Sequence, residues 1–233
     1  MYTKNFLEDF TNFDYVMKML KSNRLFNHKC HQISLKEGNS LQFDFQTSKL
    51  YLIQEGYTKI TSQYEDHLVF LSFSKRGEFP LLLGRNDLGP DSFQVTALTD
   101  CILWEIDRDY LYEILITEDP RNFVLLNYHI KISRNSVIQL VMNTFSSEDR
   151  LNYILLFLAD KFGVRNADGT IDFPSFITYA KLGELASVSI SHASNIVKNL
   201  QAQDIISIKK KNWVLKQPSQ IPVSIPYHFD QWI

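Results

Sequence analysis

The spacing of apolar residues changes twice along this chain, which restricts it to a fold with a β-rich middle framed by helices. Over residues 4–22, Phe6, Leu7, Phe10, Phe13, Val16, Met17 and Leu20 recur at helical spacing. From Leu25 to Ile106 the period shortens to about two. Ile33, Leu35, Leu41, Phe43 and Phe45 alternate with polar residues, as do Leu50, Leu52, Ile60, Val69, Leu71 and Phe73. Gly38, Gly56, Gly77, Gly84 and Gly89 punctuate this stretch where turns are expected. Many short strands between turns form a sandwich or a barrel.

After Asp107 the helical period returns. Arg108–Ile116 reads as a short helix, and Pro120 suits the first turn of the next. No further glycine or proline occurs up to Phe145, so a helix of about 26 residues, ~39 Å long, is expected. Its stripe holds Phe123, Leu126, Ile130, Val137 and Leu140/Val141. Such a stripe covers either another helix of its own chain or the same helix of a second chain. Ser146, with Glu148 and Asp149 behind it, reads as the cap of a helix that ends at Gly163. Asn166–Gly169 is expected to turn, and Thr170–Pro174 to be extended. The tail Gln217–Ile233 contains three prolines and is expected to be irregular, anchored by Tyr227, Phe229 and Trp232.

The segment Ile177–Ile208 carries the most chemistry. Thr178 can cap a short helix through Ala186, with Leu182 and Leu185 inward and Gly183 small enough for another helix to approach. Ser187-Val188-Ser189 forms a three-residue turn, and Ser189 can cap a second helix through about Gln203. Ala193, Ile196, Val197 and Leu200 form its buried stripe, and Ser191, His192, Asn195, Lys198 and Asn199 its polar face. This is the pattern of a helix-turn-helix. Two β runs, Ile205–Ile208 and Trp213–Lys216, joined by Lys209, Lys210, Lys211 and Asn212, add a wing.

Charge follows the same division. The chain has 24 basic and 26 acidic residues, a net charge of −2. Between Pro174 and Gln217, however, six lysines stand against two acids, +4, leaving −6 on the remainder. A basic module on an acidic body suits phosphate binding through counterion release. A winged helix used for protein contacts is the competing interpretation.

Other function classes find little support. Cys30 and Cys101 are too few for a disulfide scaffold or an iron–sulfur sensor. His28, Cys30 and His31 lie close together, and His28 and Cys30 could share a face of a strand, but a fourth metal ligand is not evident. Walker, His-Glu-x-x-His and Gly-x-Ser-x-Gly motifs are absent, so an enzyme is not expected. Phe70, Phe73, Phe79 and Trp104 could line a pocket but suit a core better. No apolar run approaches membrane-spanning length, and the acidic start does not resemble a signal peptide, so a cytoplasmic location is expected.

The order of these parts resembles the CRP/FNR family of bacterial transcription regulators, and within it the PrfA-like branch of Gram-positive bacteria. Besides Ile177–Ile208, the resemblance rests on Tyr51–Gly56, on Gly77-Glu78-Phe79 and on Val95–Ile106. It implies an α+β fold: an N-terminal cyclic-nucleotide-binding-type jelly-roll β-barrel, a long central dimerisation helix and a C-terminal winged helix-turn-helix. The expected division is 1–107, 108–145 and 146–233. The implied partners are double-stranded DNA with a palindromic operator, a second copy of the chain through Phe123, Leu126, Ile130, Val137 and Val141, and RNA polymerase.

Carried over by position, Ile190, Ser191 and Asn195 are the base-reading residues. Thr178, Ser189, His192, Lys198 and the wing lysines Lys209, Lys210 and Lys211 complete the expected DNA contacts. Relatives often have glycine where Ser187 stands. A possible effector pocket maps to Gly77, Glu78, Phe79, Arg85, Asp91 and Ser92. Cyclic-nucleotide-binding relatives hold the phosphate with an Arg-Ser pair, where this chain has Asp91-Ser92; Asp91 repels a phosphate, so cAMP is not the expected effector. Arg85 leaves a shifted binding mode open. In the PrfA-like branch glutathione can be the activator, with aromatic residues before the glycine of the sensor domain; Ser74-Lys75-Arg76 precede Gly77 here, so that site does not carry over. No cofactor is implied. Either an unknown small molecule or none serves as effector. The alternative is a small-molecule sensor whose winged helix mediates protein–protein contacts.

Overall fold

A computed structural model describes residues 4–43, 47–64, 67–82 and 92–224 of the chain. The molecule divides into two compact units that meet between Val137 and Ile138.

The first unit opens with α1 (Lys4–Asp9), α2 (Phe13–Lys21) and α3 (Phe26–Lys29). The apolar run over 4–22 therefore makes two helices where one is expected. Asn12 separates them. Its backbone is extended, its side chain accepts from the Tyr15 N–H, and a new helix starts behind it. Thr11 closes the preceding turn by donating to the Leu7 carbonyl at 2.7 Å.

Among the described residues seven strands follow: β1 (Cys30–Leu35), β2 (Ser40–Phe43), β3 (Lys49–Glu55), β4 (Thr58–Tyr64), β5 (His67–Ser74), β6 (Ser92–Ala97) and β7 (Cys101–Asp107). They form two antiparallel sheets, ordered β1-β7-β3 and β2-β6-β4-β5. Alternation along the strands sets what each face buries. Leu50, Leu52, Cys30 and Ile106 project from one face of the first sheet and pack with Val16 and Leu20 of α2. Their neighbours Ile53, Leu103, Leu35 and Cys101 project from the other face. Phe43, Ile60 and Val95 form the matching layer of the second sheet, and Leu41 and Tyr51 touch both groups. This is the N-terminal β-domain that the sequence pattern implies.

After β7, α4 (Arg108–Glu118) is capped by Asp107, which accepts from the Tyr110 N–H. The next helix, α5 (Phe123–Met142), has 20 residues, fewer than expected, and Pro120 lies outside it. Asn122 adopts φ +55°, a left-handed conformation that ends any helix entering from Pro120. The Asp119 carboxylate accepts from the Phe123 and Val124 N–H groups at 3.0 and 2.8 Å, so the helix starts there. Among the described residues, no helix is long and apolar enough to cross a membrane.

The second unit holds α6 (Ser147–Phe162), a hairpin of β8 (Val164–Arg165) and β9 (Ile171–Asp172), α7 (Tyr179–Ala186), α8 (Ile190–Ala202), β10 (Ile206–Lys209) and β11 (Asn212–Leu215). Ser146 caps α6 by accepting from the Asp149 N–H, and the Gly163 N–H closes its end on the Ala159 carbonyl. The wing hairpin joins the earlier hairpin in one sheet, β10-β11-β9-β8. Leu151, Leu158, Leu182, Ala193, Val197 and Leu215 are buried to 0 % exposure, a core shared by α6, α7, α8 and the wing. The chain then returns to α6. Pro222 accepts from Asn152 Nδ2, and Ser224 donates through both its N–H and its hydroxyl to Asp149. The two Ser224 bonds, with the Ser146 hydroxyl donating to the same carboxylate at 2.9 Å, hold the Asp149 carboxyl below its ordinary value. Tyr227, Phe229 and Trp232 lie outside the described residues.

Candidate nucleic-acid interface

Two capping hydroxyls build the helix-turn-helix. Thr178 Oγ1 accepts from the Lys181 N–H at 3.2 Å and starts α7. Ser189 Oγ accepts from the His192 N–H at 3.1 Å and starts α8. Each bond uses an acceptor lone pair and leaves the hydroxyl proton available to an incoming oxygen. Between the caps, Ser187 takes the left-handed conformation, φ 52° and ψ 48°. Its N–H donates to the Glu184 carbonyl and that of Val188 to the Gly183 carbonyl. Arg150 of α6 donates through Nε to the Ala186 carbonyl at 2.6 Å, which ties the end of α7 to the unit's core.

Gly183 faces the turn and the head of the next helix: a Cβ there would lie 2.8 Å from the Val188 carbonyl oxygen and 3.5 Å from the nitrogen of Ile190, the first residue of α8. The turn is tight because position 183 has no side chain.

The two faces of α8 separate as its periodicity demands. Ala193, Ile196, Val197 and Leu200 are buried. Ser191, His192, Asn195, Lys198 and Asn199 are exposed, and so is Ile190, at 58 %. Wing residues Lys209 and Asn212 pair across the hairpin, and Lys210, at φ 59°, turns the chain between them. Trp213 of β11 meets Tyr179 of α7 edge to face at 4.9 Å, which anchors the wing to the helix pair.

Ion pairing sorts the six lysines of this region. Lys181 pairs with Glu184 at 3.3 Å, and Lys216 pairs with Asp204. These are the only two acids between Pro174 and Gln217. The remaining four, Lys198, Lys209, Lys210 and Lys211, have no ion pair among the described residues. They are exposed and carry the region's whole +4 excess. Sequence counting gives the excess; only the fold shows which lysines hold it.

Of the six residues expected to form an effector pocket, four lie among the described residues. Gly77 has φ +80°, and a Cβ on it would lie 3.0 Å from the Phe13 nitrogen. Glu78 accepts from the Lys75 N–H through one carboxylate oxygen and from Lys131 Nζ of α5 through the other, both at 3.1 Å. Phe79 is buried in the core cluster beneath α2 and α4. Ser92 begins β6 opposite Gln63, and Arg85 and Asp91 lie outside the described residues. A groove of about 800 Å³ is lined by Phe13, Lys18, Lys21 and Arg76 beside Trp104. Of the aromatic residues expected together, Phe70 and Phe73 pair at 4.7 Å, while Phe79 and Trp104 belong to a different cluster.

The stripe of α5 is also divided. Phe123 is buried within its own chain against the rings of Phe6 and Phe10, at 5.4 and 5.3 Å, and so is not available to a partner. Leu126 and Val137 are exposed, Ile130 and Val141 half-buried. Leu140 is 69 % exposed, and Ile132 also reaches the surface, which the stripe drawn from sequence omits.

His28 belongs to the single turn α3, not to a strand, so it does not share a strand face with Cys30. Among the described residues no group of three metal-ligating side chains gathers. Burial, with Asp107 adding to it, pushes the Cys30 thiol up to about 12, and burial raises that of Cys101. Neither is activated as a nucleophile.

No family model matches the chain. The HTH-type transcriptional regulator ArcR of Staphylococcus epidermidis is 29 % identical over 124 residues. The match covers 52 % of this chain and 54 % of the relative, so the chain spans about half the length of the curated relatives it matches. Among solved structures, a cyclic nucleotide-binding domain containing protein from Listeria monocytogenes superimposes with a TM-score of 0.73 at 20 % identity, over 88 % of this chain and 98 % of its own. The c-di-GMP responsive global regulator CLP of Xanthomonas campestris gives 0.65 at 18 % identity, over 86 % and 97 %. FixK2 of Bradyrhizobium japonicum gives 0.65 at 13 %, over 84 % and 99 %.

Proposed function

We propose, from the fold this chain shares with regulators of the CRP/FNR type, that it is a dimeric transcription regulator that binds double-stranded DNA at a palindromic operator. One observation carries the reading. The two acids between Pro174 and Gln217 are paired with Lys181 and Lys216, and four lysines of that segment, one on the polar face of α8 and three in the wing, have no ion pair among the described residues. In this arrangement α8 enters the major groove, with Ser191, His192 and Asn195 toward the bases. Lys198 and the wing lysines contact phosphates, as do the hydroxyls of Thr178 and Ser189.

The working division is a β-domain over 1–107, a linker and dimerisation helix over 108–145, and a DNA-binding region over 146–233. The exposed Leu126, Val137 and Leu140 of α5 suit a second copy of the same helix. Two copies of α8 would then sit one helical turn of DNA apart, ~34 Å. RNA polymerase and the cytoplasm follow as partner and location for a regulator of this type. Cyclic AMP is not the effector this reading expects, because Asp91 stands where cyclic-nucleotide-binding relatives hold the phosphate with an arginine.

The test is binding of the full chain to genomic DNA fragments across a salt series. Affinity falling steeply with salt supports the reading. No complex at low salt overturns it and favours the winged helix as a protein-contact module.

A further inference from the structure

The exposed part of α8 carries a particular set of groups. Its first two turns present Ile190, Ser191, His192 and Asn195 to solvent, and α8 contains no arginine, aspartate or glutamate. A major-groove edge is read by matching chemistry. Guanine is taken most often by arginine, adenine by the paired donor and acceptor of asparagine, and thymine by an apolar contact with its methyl group. Ile190 is the residue that demands explanation. It is the first residue of α8, directly behind the Ser189 cap, and 58 % of it is exposed although it is fully apolar. Ala193 and Val197, three and seven residues on, lie on its side of the helix, but Ile190 heads that line and has no earlier turn of α8 to cover it. An apolar group at the head of a helix otherwise built for hydrogen bonding suits a methyl group on the groove floor.

We infer that each operator half-site is read at A·T pairs: Ile190 packs on a thymine methyl and Asn195 pairs with adenine N6 and N7. This rests on the DNA-binding reading above and names the class of sequence it selects. Ser191 accepts any base edge. Ser191, His192 and the Asn195 amide can each donate to a guanine, but none offers the paired donors of arginine, so G·C pairs are the minority of the positions selected through α8. Lys198, one turn further on, is left for the backbone.

The experiment uses the full chain and single-atom changes in DNA. Bound duplexes are first selected from a random pool. Each thymine of the selected half-site is then replaced by uracil, which removes only the methyl group, and each adenine by 7-deazaadenine, which removes only N7. At one thymine position, uracil is expected to weaken wild-type binding about fourfold per half-site, the value of one buried methyl. The Ile190→Ala variant is expected to be indifferent to that change. At one adenine position the 7-deaza base should weaken the wild type at least tenfold and leave Asn195→Ala unaffected.

A selected half-site whose base-specific positions are mainly G·C would overturn the inference while leaving DNA binding intact. So would uracil having no effect at any position, or Ile190→Ala retaining the wild-type sensitivity. Failure to select any duplex would overturn the DNA-binding reading itself and this inference with it.

Discussion

The two units treat their charges differently. In the β-domain unit cations meet carboxylates across the fold: Lys29 lies 3.4 Å from Asp107, Lys36 2.7 Å from Asp100, and Lys131 3.1 Å from Glu78. Each pair joins segments more than 50 residues apart in sequence. In the helix-turn-helix and wing the two carboxylates are taken by Lys181 and Lys216, and four lysines are left over. The first arrangement fixes loops and helices in place. The second maintains a positive field that nothing in its own region neutralises. A cation removed from the first unit should therefore cost stability, and one removed from the second should cost affinity.

The largest expected effect concerns a residue that sequence assigns to the wrong side of this contrast. Phe123 stands in the apolar stripe of α5, yet it is core to its own unit. Phe123→Ala should cost about 3–5 kcal/mol of unfolding free energy. In denaturant titrations this loss should be the same at every protein concentration. Leu140→Ala, at an exposed position of the same helix, should change chain stability by less than about 0.5 kcal/mol and instead shift the monomer–dimer equilibrium. A Phe123→Ala defect that grows on dilution would return the whole stripe to the partner.

Next comes the wing. Replacing Lys209, Lys210 and Lys211 together by alanine should weaken binding to every duplex by roughly tenfold or more. The log–log salt slope should flatten by up to about 2.7 if each lysine neutralises one phosphate. Thermal unfolding should not move, since none of the three is buried. An unchanged slope would show that the wing does not lie on DNA.

Why Phe123 is misread and the helix-turn-helix is not is a matter of range. The caps Thr178 and Ser189 act within three residues, so residue type and local order announce them. The buried stripe of α8 follows from its period. The wing hairpin follows from two short apolar runs around a polar tip. By contrast, Phe123 is buried by rings more than 110 residues earlier in the chain, and Asn12 breaks a helix that hydrophobic spacing alone would continue. Which lysines of the +4 region are paired depends in part on a contact 12 residues apart, between Asp204 and Lys216. The fold class is legible because it rests on period; the partners of individual side chains are not, because they depend on tertiary placement.

A smaller effect tests the first unit's use of charge. Lys131→Ala leaves the Glu78 carboxylate, only 12 % exposed, without its α5 partner. Lys131 itself is 40 % exposed, so solvent screening limits the loss to about 1 kcal/mol, a fall in Tm of roughly 2–4 °C. High salt should narrow the difference from wild type. DNA affinity measured well below that transition should stay within twofold. An affinity loss as large as the wing variant's would mean that the two units do not divide their charges as described.

The smallest effect concerns the turn. Ser187 holds φ 52° and ψ 48°, where a Cβ crowds the following carbonyl at a cost of about 1 kcal/mol. Ser187→Gly removes that strain, and the greater freedom of glycine in the unfolded chain returns roughly half of the gain. The expected result is a stabilisation of about 0.5 kcal/mol with unchanged DNA affinity, because the hydroxyl makes no side-chain hydrogen bond among those described around the turn. The two readouts separate the two roles open to an exposed serine in this turn. A gain in stability alone means that its side chain is tolerated, not used. A loss of affinity in the glycine variant would instead make Ser187 a third hydroxyl on the phosphate backbone, beside Thr178 and Ser189, and would extend the second unit's ligand-facing surface into the turn itself.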